Sequence, residues 1–140
     1  MTSMTRGLPT ATPPVHAFAV AFQPDGSRVR HMRRITRASL RHWKLASVMA
    51  EALLVVSELV TNAVQHGDGT VQLRVEHHVC ELRIAVTDNS PQMPVLREAS
   101  DDDEGGRGLL LVDAIAEKWG TTGDGRTVWC SLALPPDGTR

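Results

Sequence analysis

The chain has 140 residues, 41% of them hydrophobic, and a formal net charge of -1. This length fits one domain with a core of its own. The near-neutral charge excludes a global electrostatic attraction to nucleic acid, and no window of about 20 apolar residues runs without polar interruption, as a membrane span requires. These properties predict a cytoplasmic domain with neither a nucleic-acid nor a membrane partner.

The first 14 residues are rich in threonine and proline and lack the apolar segment of a signal peptide, which predicts a disordered leader. One domain is expected over residues 15–135, followed by a short tail at 136–140. Cys80 and Cys130 lie in apolar, strand-like runs. Reduced, packed thiols are favoured over a disulfide in a cytoplasmic chain. The six histidines show no metal-ligand spacing, so a zinc site is not expected.

The domain begins with a strand at 16–22, a Pro-Asp-Gly turn and a helix from Ser27 with an apolar stripe. The other face of this helix carries basic residues and no acidic ones: Arg28, Arg30, Arg33, Arg34, Arg37, Arg41 and Lys44. This pattern fits a solvated helix face or a docking surface for an acidic protein partner. DNA is less favoured, because no base-reading aromatic, Asn or Gln side chain lies among the arginines.

A long apolar run, Leu45 to Val64, predicts a central helix, with Gly67 as a C-terminal cap. Glu58, Asn62 and His66 recur at every fourth position, so their side chains share one row on the helix surface. The other faces are apolar, so a carboxylate and a carboxamide on this helix are costly unless a polar group meets them. That group is either a metal ion with its phosphate ligand or a capped loop.

Two alternating segments, 70–77 and 79–87, predict a hairpin of half-buried strands that turns near His77-His78 and ends at Asp88. From residue 89 to about 107 there is no periodicity. Prolines and a cluster of acidic residues there predict an exposed, functional lid. The hairpin and the lid therefore bring the polar residue Asp88 next to a mobile segment.

A glycine-rich turn, residues 105–108, is then expected to lead into an apolar helix. Glycines let a phosphate approach the backbone, and the free N–H groups of a helix start attract anions, although glycine before a helix is also ordinary loop chemistry. Two strands, at 119–122 and 126–134, close the chain. The order strand, two helices, two strands, lid, helix, two strands predicts an α+β fold, a two-layer sandwich.

Three of these segments together resemble the GHKL ATPase superfamily. They read Glu-Leu-Val-Thr-Asn-Ala-Val-x-His at 58–66, Val-Thr-Asp-x-Ser at 86–90 and Gly-Arg-Gly-Leu-x-Leu-Val at 106–112. The combination is specific, although no single segment is. The chain resembles the free-standing anti-sigma factor serine/threonine kinases most closely, over about residues 15–134. The resemblance implies the Bergerat-type, histidine kinase-like ATP-binding fold, with a mixed, largely antiparallel sheet packed on three helices.

The resemblance also implies roles for the matched residues. Glu58 matches the general base, which in a kinase takes the proton from a serine hydroxyl. Asn62 matches the asparagine whose amide oxygen holds the Mg²⁺ of Mg-ATP. Asp88 matches the carboxylate that accepts a hydrogen bond from the adenine amino group.

The remaining matches are cofactor-binding positions: His66, Gly106, Gly108, Leu109 and Thr127. Arg107 lies between two of these glycines, where its cation would stabilise charge on the transferring phosphoryl group, a catalytic role inferred from position. Thr127 resembles a threonine that supports Asp88 and the adenine. His66 is either a phosphate contact or a cap for the carbonyl groups at the helix end.

The sequence departs from the family pattern after Asp88, because the typical Asp-x-Gly-x-Gly loop here lacks both glycines. Two functions remain. The first is an Mg-ATP-dependent serine/threonine kinase that phosphorylates an anti-sigma antagonist and also binds a sigma factor. The second is a non-catalytic module of the same fold that sequesters a sigma factor with weak or no ATP use. The intact Glu58 and Asn62 favour the kinase, and the relatives of such kinases also suggest a homodimer.

Overall fold

The computed structural model describes residues 13–66, 69–89, 104–122 and 124–136, and of residues 104–108 it describes the backbone alone. The elements are β1 His16–Phe22, α1 Ser27–His42, a short 3₁₀ helix Ala46–Val48, α2 Met49–His66, β2 Val71–His77, β3 Glu81–Asp88, α3 Glu104–Ile115, β4 Lys118–Thr121 and β5 Thr127–Ala133. This is the predicted order with one 3₁₀ turn added. Most of the predicted leader, lid and tail, and the cap at Gly67, lie outside the described residues.

The five strands form one sheet in the order β1-β2-β3-β5-β4. All four pairings within it are antiparallel, whereas the expectation was a mixed sheet. The difference has a simple cause. The connection from β3 through α3 to β4 would make two parallel neighbours, but β5 returns from β4 by a tight hairpin and inserts between them. β4 therefore runs parallel to β3 without touching it.

The three helices cover one face of this sheet, and together they form the predicted two-layer α+β sandwich. Alternation along β2 places Val71, Leu73 and Val75 on the helix side, where all three are fully buried. β3 contributes Leu82, Ile84 and Val86 to the same layer. The hydrophobic core therefore lies between the sheet and α2, the helix at the centre of the second layer.

α2 is the most apolar helix of the chain. An 18-residue window within Ala46–His66 has a mean hydropathy of 1.5, which by length and composition alone is enough to cross a membrane. Glu51 and Glu58 interrupt this run, as noted from the sequence, but two glutamates do not lower the average of so many Val, Leu and Ala residues below this level. The core helix of a soluble protein has the same composition, and α2 packs on α1, α3 and the sheet.

The start of α3 differs from the expected glycine-rich turn. α3 begins at Glu104, so residues 105–108 belong to the helix backbone and do not form a turn before it.

The two cysteines differ in their surroundings. Cys130 is buried, which raises the pKa of its thiol to about 12 and keeps it protonated. Cys80 is exposed, because it lies in the β2–β3 turn and not in a strand, so its expected packing is wrong. Both cysteines are free thiols.

The sheet face away from the helices carries a network of charged side chains. Glu76 accepts a hydrogen bond from Arg74 Nε (2.6 Å) and lies 2.9 Å from His78 Nε2. Glu81 accepts hydrogen bonds from Ser131 Oγ (2.5 Å) and from Arg83. Burial alone would raise the pKa of both carboxyl groups, but these hydrogen bonds outweigh it and lower both pKa values. The network therefore favours the ionised carboxylates.

This network predicts a loss of stability in acid. A carboxyl group whose pKa is lower in the folded state stabilises the fold above its unfolded value, 4.5 for glutamate, and that contribution disappears as the pH falls through the folded pKa. We expect the urea unfolding free energy to fall as the pH drops below 4.5. The fall should be smaller in Glu81→Gln than in the exposed control Glu117→Gln. Equal pH dependence in the two variants would contradict this assignment.

Candidate functional site

The predicted row on α2 faces α3 and not α1. Ser57 accepts a hydrogen bond from Arg33 of α1 at 2.5 Å, which places α1 on that flank of α2. Asn62 follows five residues later, and at 3.6 residues per turn its side chain points about 140° away. Because α2 also packs against α3, the row of Glu58, Asn62 and His66 lies on the flank toward α3.

The members of this row differ in burial. Glu58 and Asn62 are half-buried, and His66 is exposed. Neither Glu58 nor Asn62 has a hydrogen-bond or ion-pair partner among the residues that the structure describes. A half-buried carboxylate and carboxamide without partners are unfavourable in a purely structural role, so this flank of α2 is suited to bind a polar ligand.

The sheet places Asp88 at the same edge as the C-terminal end of α2. Asp88 pairs with Val71, the first residue of β2, which the chain reaches shortly after His66 ends α2. Two backbone hydrogen bonds hold Asp88 in this region, which we call the corner. The Asn89 N–H donates to the Thr70 C=O and the Asp88 N–H donates to the Arg126 C=O, each at 2.8 Å. The half-buried Asp88 therefore lies at the edge toward which the α2 row runs.

The N-terminal end of α3 points to this edge as well. α3 ends at Ile115, and β4 then begins at Lys118, which pairs with Ser131 near the far end of the sheet. A helix of 12 residues is about 18 Å long, so packing along α2 carries its start back toward Asp88. The Asp113 carboxylate accepts a hydrogen bond from Trp119 Nε1 at 2.7 Å and secures the C-terminal half of α3.

The predicted glycines at the start of α3 differ in whether their backbone N–H groups are free to bind an anion. The N–H groups of the cap residue and of the first three helical residues of an α-helix have no intrahelical acceptor, and those three helical residues are 104–106 here. The amides of Gly105 and Gly106 are therefore available to an anion, whereas those of Arg107 and Gly108 fall within the regular bonding of the helix. The side chain of Arg107 lies outside the described part of the chain. Leu109 is partly buried and packs against the core, so its side chain supports the helix.

Thr127 follows Arg126, whose carbonyl oxygen accepts the hydrogen bond from the Asp88 N–H. Its hydroxyl lies 2.8 Å from the hydroxyl of Thr87, the residue directly opposite, and its N–H donates to Thr122 Oγ1 at 3.3 Å. Because side chains alternate along a strand, Thr87 and Thr127 lie on the face opposite to Asp88. Thr87 and Arg126 are the neighbours of Asp88 that the sequence reasoning did not single out, although Thr87 belongs to the Val-Thr-Asp segment.

The arrangement fits an Mg²⁺ ion held with a nucleotide better than a metal site made of protein alone. No cluster of three His, Cys, Asp or Glu side chains able to hold a metal occurs among the described residues. A single amide oxygen, such as that of Asn62, suffices for Mg²⁺ when phosphates and water complete its octahedral shell. The free amides at the start of α3 and the acceptor Asp88 suit the phosphate and base ends of the same ligand.

Comparison with known proteins agrees with this geometry. Residues 22–132 match the family model of the histidine kinase-like ATPase domain. An uncharacterized protein of Streptomyces coelicolor is 41% identical over 91 residues, which cover 58% of this chain and 84% of the relative. The matched range contains every element that forms the corner around Asp88. The GHKL resemblance is thereby confirmed, and the chain belongs to the histidine kinase-like ATPase domain family, whose members are ATP-binding domains.

Proposed function

We propose that the protein is an Mg-ATP-dependent serine/threonine kinase that phosphorylates an anti-sigma antagonist protein and binds a sigma factor in the cytoplasm. One observation carries this proposal. Glu58 and Asn62, one helical turn apart, have no side-chain partner in the described part of the chain, and they lie on the flank of α2 that runs toward Asp88 and the start of α3. A base, a ligand for a hard cation, a hydrogen-bond acceptor and free amides thus converge on one corner.

Each residue of the corner has one role in this proposal. The Asn62 amide oxygen holds the cation, Asp88 accepts a hydrogen bond from the adenine amino group, and the amides of Gly105 and Gly106 bind phosphate oxygens. Glu58 takes the proton from the attacking serine hydroxyl. Mg-ATP, when bound, supplies the phosphoryl group and neutralises its charge. His66, at the exposed end of the row, contacts a phosphate oxygen in this proposal.

The first test is a calorimetric titration with Mg-ATP of the wild-type protein and of Asp88→Asn. The substitution replaces one acceptor oxygen by a donor, so we expect affinity to fall by about ten- to a hundredfold, as for the loss of a hydrogen bond to a charged group. Glu51→Gln, on an exposed part of α2, serves as the matched control and should bind like wild type. Equal affinity of Asp88→Asn and Glu51→Gln would refute the adenine contact.

A second candidate function is a sigma-sequestering module with weak or no ATP use. The altered loop after Asp88 favours it, and so does the surface of α1. Arg30, Arg34, Arg37 and Arg41 are all exposed and fall within one stripe of the helix, with no acidic residue on α1. Under this alternative, the calorimetric titration shows no heat at millimolar ATP, while binding of the acidic partner persists.

The arginine stripe predicts opposite effects on stability and on binding. Like charges three and four residues apart destabilise a helix, and Arg34 has such neighbours at Arg30 and Arg37. Arg34→Glu should therefore stabilise the isolated protein, by about 0.5 kcal/mol or more from the new ion pairs. The same variant should bind a purified sigma factor or antagonist about tenfold more weakly.

Thermal unfolding and fluorescence anisotropy measure the two effects. Lys118→Glu, a charge reversal on β4 at the other end of the sheet from Asp88, is the control for overall charge. Partner binding that is equal in Arg34→Glu and Lys118→Glu would show that α1 is a solvated face and not a docking surface.

A further inference from the structure

The sheet face away from the helices, which we call the outer face, carries a tryptophan that is fully shielded from solvent. Side chains alternate along β5, and Val128 and Cys130 point to the core, so Trp129 lies on the outer face. It stands opposite Ala85 of β3 on one side and Gly120 of β4 on the other. Trp129 is nevertheless 0% exposed. An alanine and a glycine cannot shield so large a side chain, so another part of the chain lies over it.

The shielded area has clear limits. Next to Trp129, the outer-face residues Thr127, Ser131 and Arg83 are also buried. Toward the β1 edge the same face is open to solvent, at the exposed residues Ala17, Ala19, Ala21 and Arg74. Ala133, the last residue of β5, is exposed as well. The three helices pack on the other face, so none of the described helices or strands covers the area around Trp129.

Trp129 also has a polar group that requires a partner. Its indole Nε1 is buried and has no hydrogen-bond acceptor within the described ranges. A buried N–H group without an acceptor is costly, and native proteins nearly always provide one. The segment that covers Trp129 therefore has to offer an apolar side chain and a nearby carbonyl oxygen.

We propose that residues 1–12, the part of the leader outside the described ranges, lie extended across the outer face with Leu8 packed on the Trp129 indole. Four of these 12 residues are threonines, which favour extended backbone, and the proline after Leu8 restricts Leu8 to the same conformation. Alternate residues of an extended chain share a side, so Met4 and Leu8 face the sheet and Thr5 faces solvent. A segment with so few apolar residues is disordered alone, but it can bury them on an existing sheet.

The length of this segment matches the distance to Trp129. The Val15 N–H donates to the His77 C=O at 2.7 Å, so the chain enters the sheet at the β1 edge. Trp129 lies three strands away, in the row that begins at Ala19, four residues beyond Val15. With about 4.8 Å between strands and about 3.4 Å per residue, this diagonal is about 20 Å. The seven residues from Val15 back to Leu8 reach about 23 Å, which is enough to place Leu8 over the indole.

The other segments outside the described ranges are less suited to this position. The tail, residues 137–140, would have to cross Ala133 to reach Trp129, and Ala133 is exposed. Residues 90–103 lead from β3 to α3, which lies on the helix side of the sheet, and they are rich in acidic side chains. Residues 1–12 carry a single charged side chain, Arg6, and therefore lose less solvation on the sheet.

Exchange of the Trp129 indole N–H with solvent tests this cover in the full-length protein. The chain has three tryptophans, so nuclear magnetic resonance shows three indole signals, and Trp129→Phe identifies the one in question. We expect this N–H to exchange slowly in wild type and about tenfold or more faster in Leu8→Asp, because a carboxylate resists burial against the indole and opens the cover. Thr5→Asp adds the same charge on the solvent side and should exchange like wild type.

The Trp119 indole reports on folding in the same spectra. Its N–H donates to the Asp113 carboxylate at 2.7 Å on the helix side, so its exchange should be the same in both leader variants. A wild-type Trp129 N–H that exchanges as fast as a free indole would overturn the proposal, because the outer face would then be open. Equal exchange in Leu8→Asp and Thr5→Asp, with Trp119 still protected, would overturn it too and assign the cover to another segment. The measurement needs no nucleotide, so it does not depend on the proposed kinase activity.

Discussion

Glu58→Ala is expected to reduce phosphotransfer by about 10²- to 10⁴-fold, the range for removal of a general base. The Glu58 side chain is half-buried and has no partner among the described residues, so its removal breaks no internal hydrogen bond and no ion pair. ATP binding should persist, because Asn62 and Asp88 remain. The measurement is transfer of labelled phosphate from ATP to candidate antagonist proteins, beside calorimetry with Mg-ATP.

Two companion variants make this prediction specific. Glu58→Gln keeps the size and polarity of the side chain but cannot accept a proton, so it should be as inactive as Glu58→Ala. Glu51→Gln removes a carboxylate from the same helix at an exposed position, away from the site, and should be active. Transfer at the wild-type rate by Glu58→Ala would remove the base from the proposal. Loss of ATP binding in Glu58→Gln would instead give this carboxylate a role in holding the nucleotide.

Local signals account for the parts of the fold that the sequence predicted well. The alternation of Val71, Leu73 and Val75 with polar residues fixed the inward face of β2, and all three side chains are fully buried. The spacing of Glu58 and Asn62 placed them on one row because the period of a helix is set by its backbone. Such periodicities depend on neighbours only a few residues apart, so a single sequence reveals them.

Features that depend on distant parts of the chain were not predictable in this way. The insertion of β5 between β3 and β4 makes every pairing antiparallel, and nothing near either strand encodes that order. The hydroxyl of Thr127 bonds Thr87 on the sheet face opposite to Asp88, because the register between β3 and β5 determines its direction. Cys80 was misplaced because an apolar run does not show where a strand gives way to a turn.

The candidate site also combines features that the sequence predicts with features that depend on distant parts of the chain. Glu58, Asn62 and Asp88 could be singled out by residue type, spacing and family resemblance. Their convergence required the register that pairs Asp88 with Val71 and the packing of α2 against α3. The helical state of Gly106 and Gly108 was also not evident, because glycine favours turns by propensity, and the contacts of the α3 helix with α2 override that preference.

Asn62→Ala should remove the Mg²⁺ dependence of ATP binding. Asn62 offers the only amide oxygen on the row, and among the described residues no carboxylate cluster would replace it as a cation ligand. We expect Mg-ATP affinity to fall by about tenfold or more, consistent with the loss of a bond to a charged group. Affinity for ATP in the presence of a chelator should stay near the wild-type value, since the adenine contact at Asp88 is untouched.

Parallel titrations with Mg²⁺ and with a chelator separate this result from simple unfolding. Asn62 is half-buried and has no hydrogen-bond partner within the described ranges, so its truncation should leave the melting temperature of the ligand-free protein within a few degrees of wild type. Gln65→Ala removes another amide side chain from the same helix, at an exposed position outside the row. It is the matched control and should retain the Mg²⁺ effect. An Asn62→Ala protein whose ATP affinity still rises on addition of Mg²⁺ would place the cation ligand elsewhere, and the pair Glu58 and Asn62 would then no longer define the catalytic row.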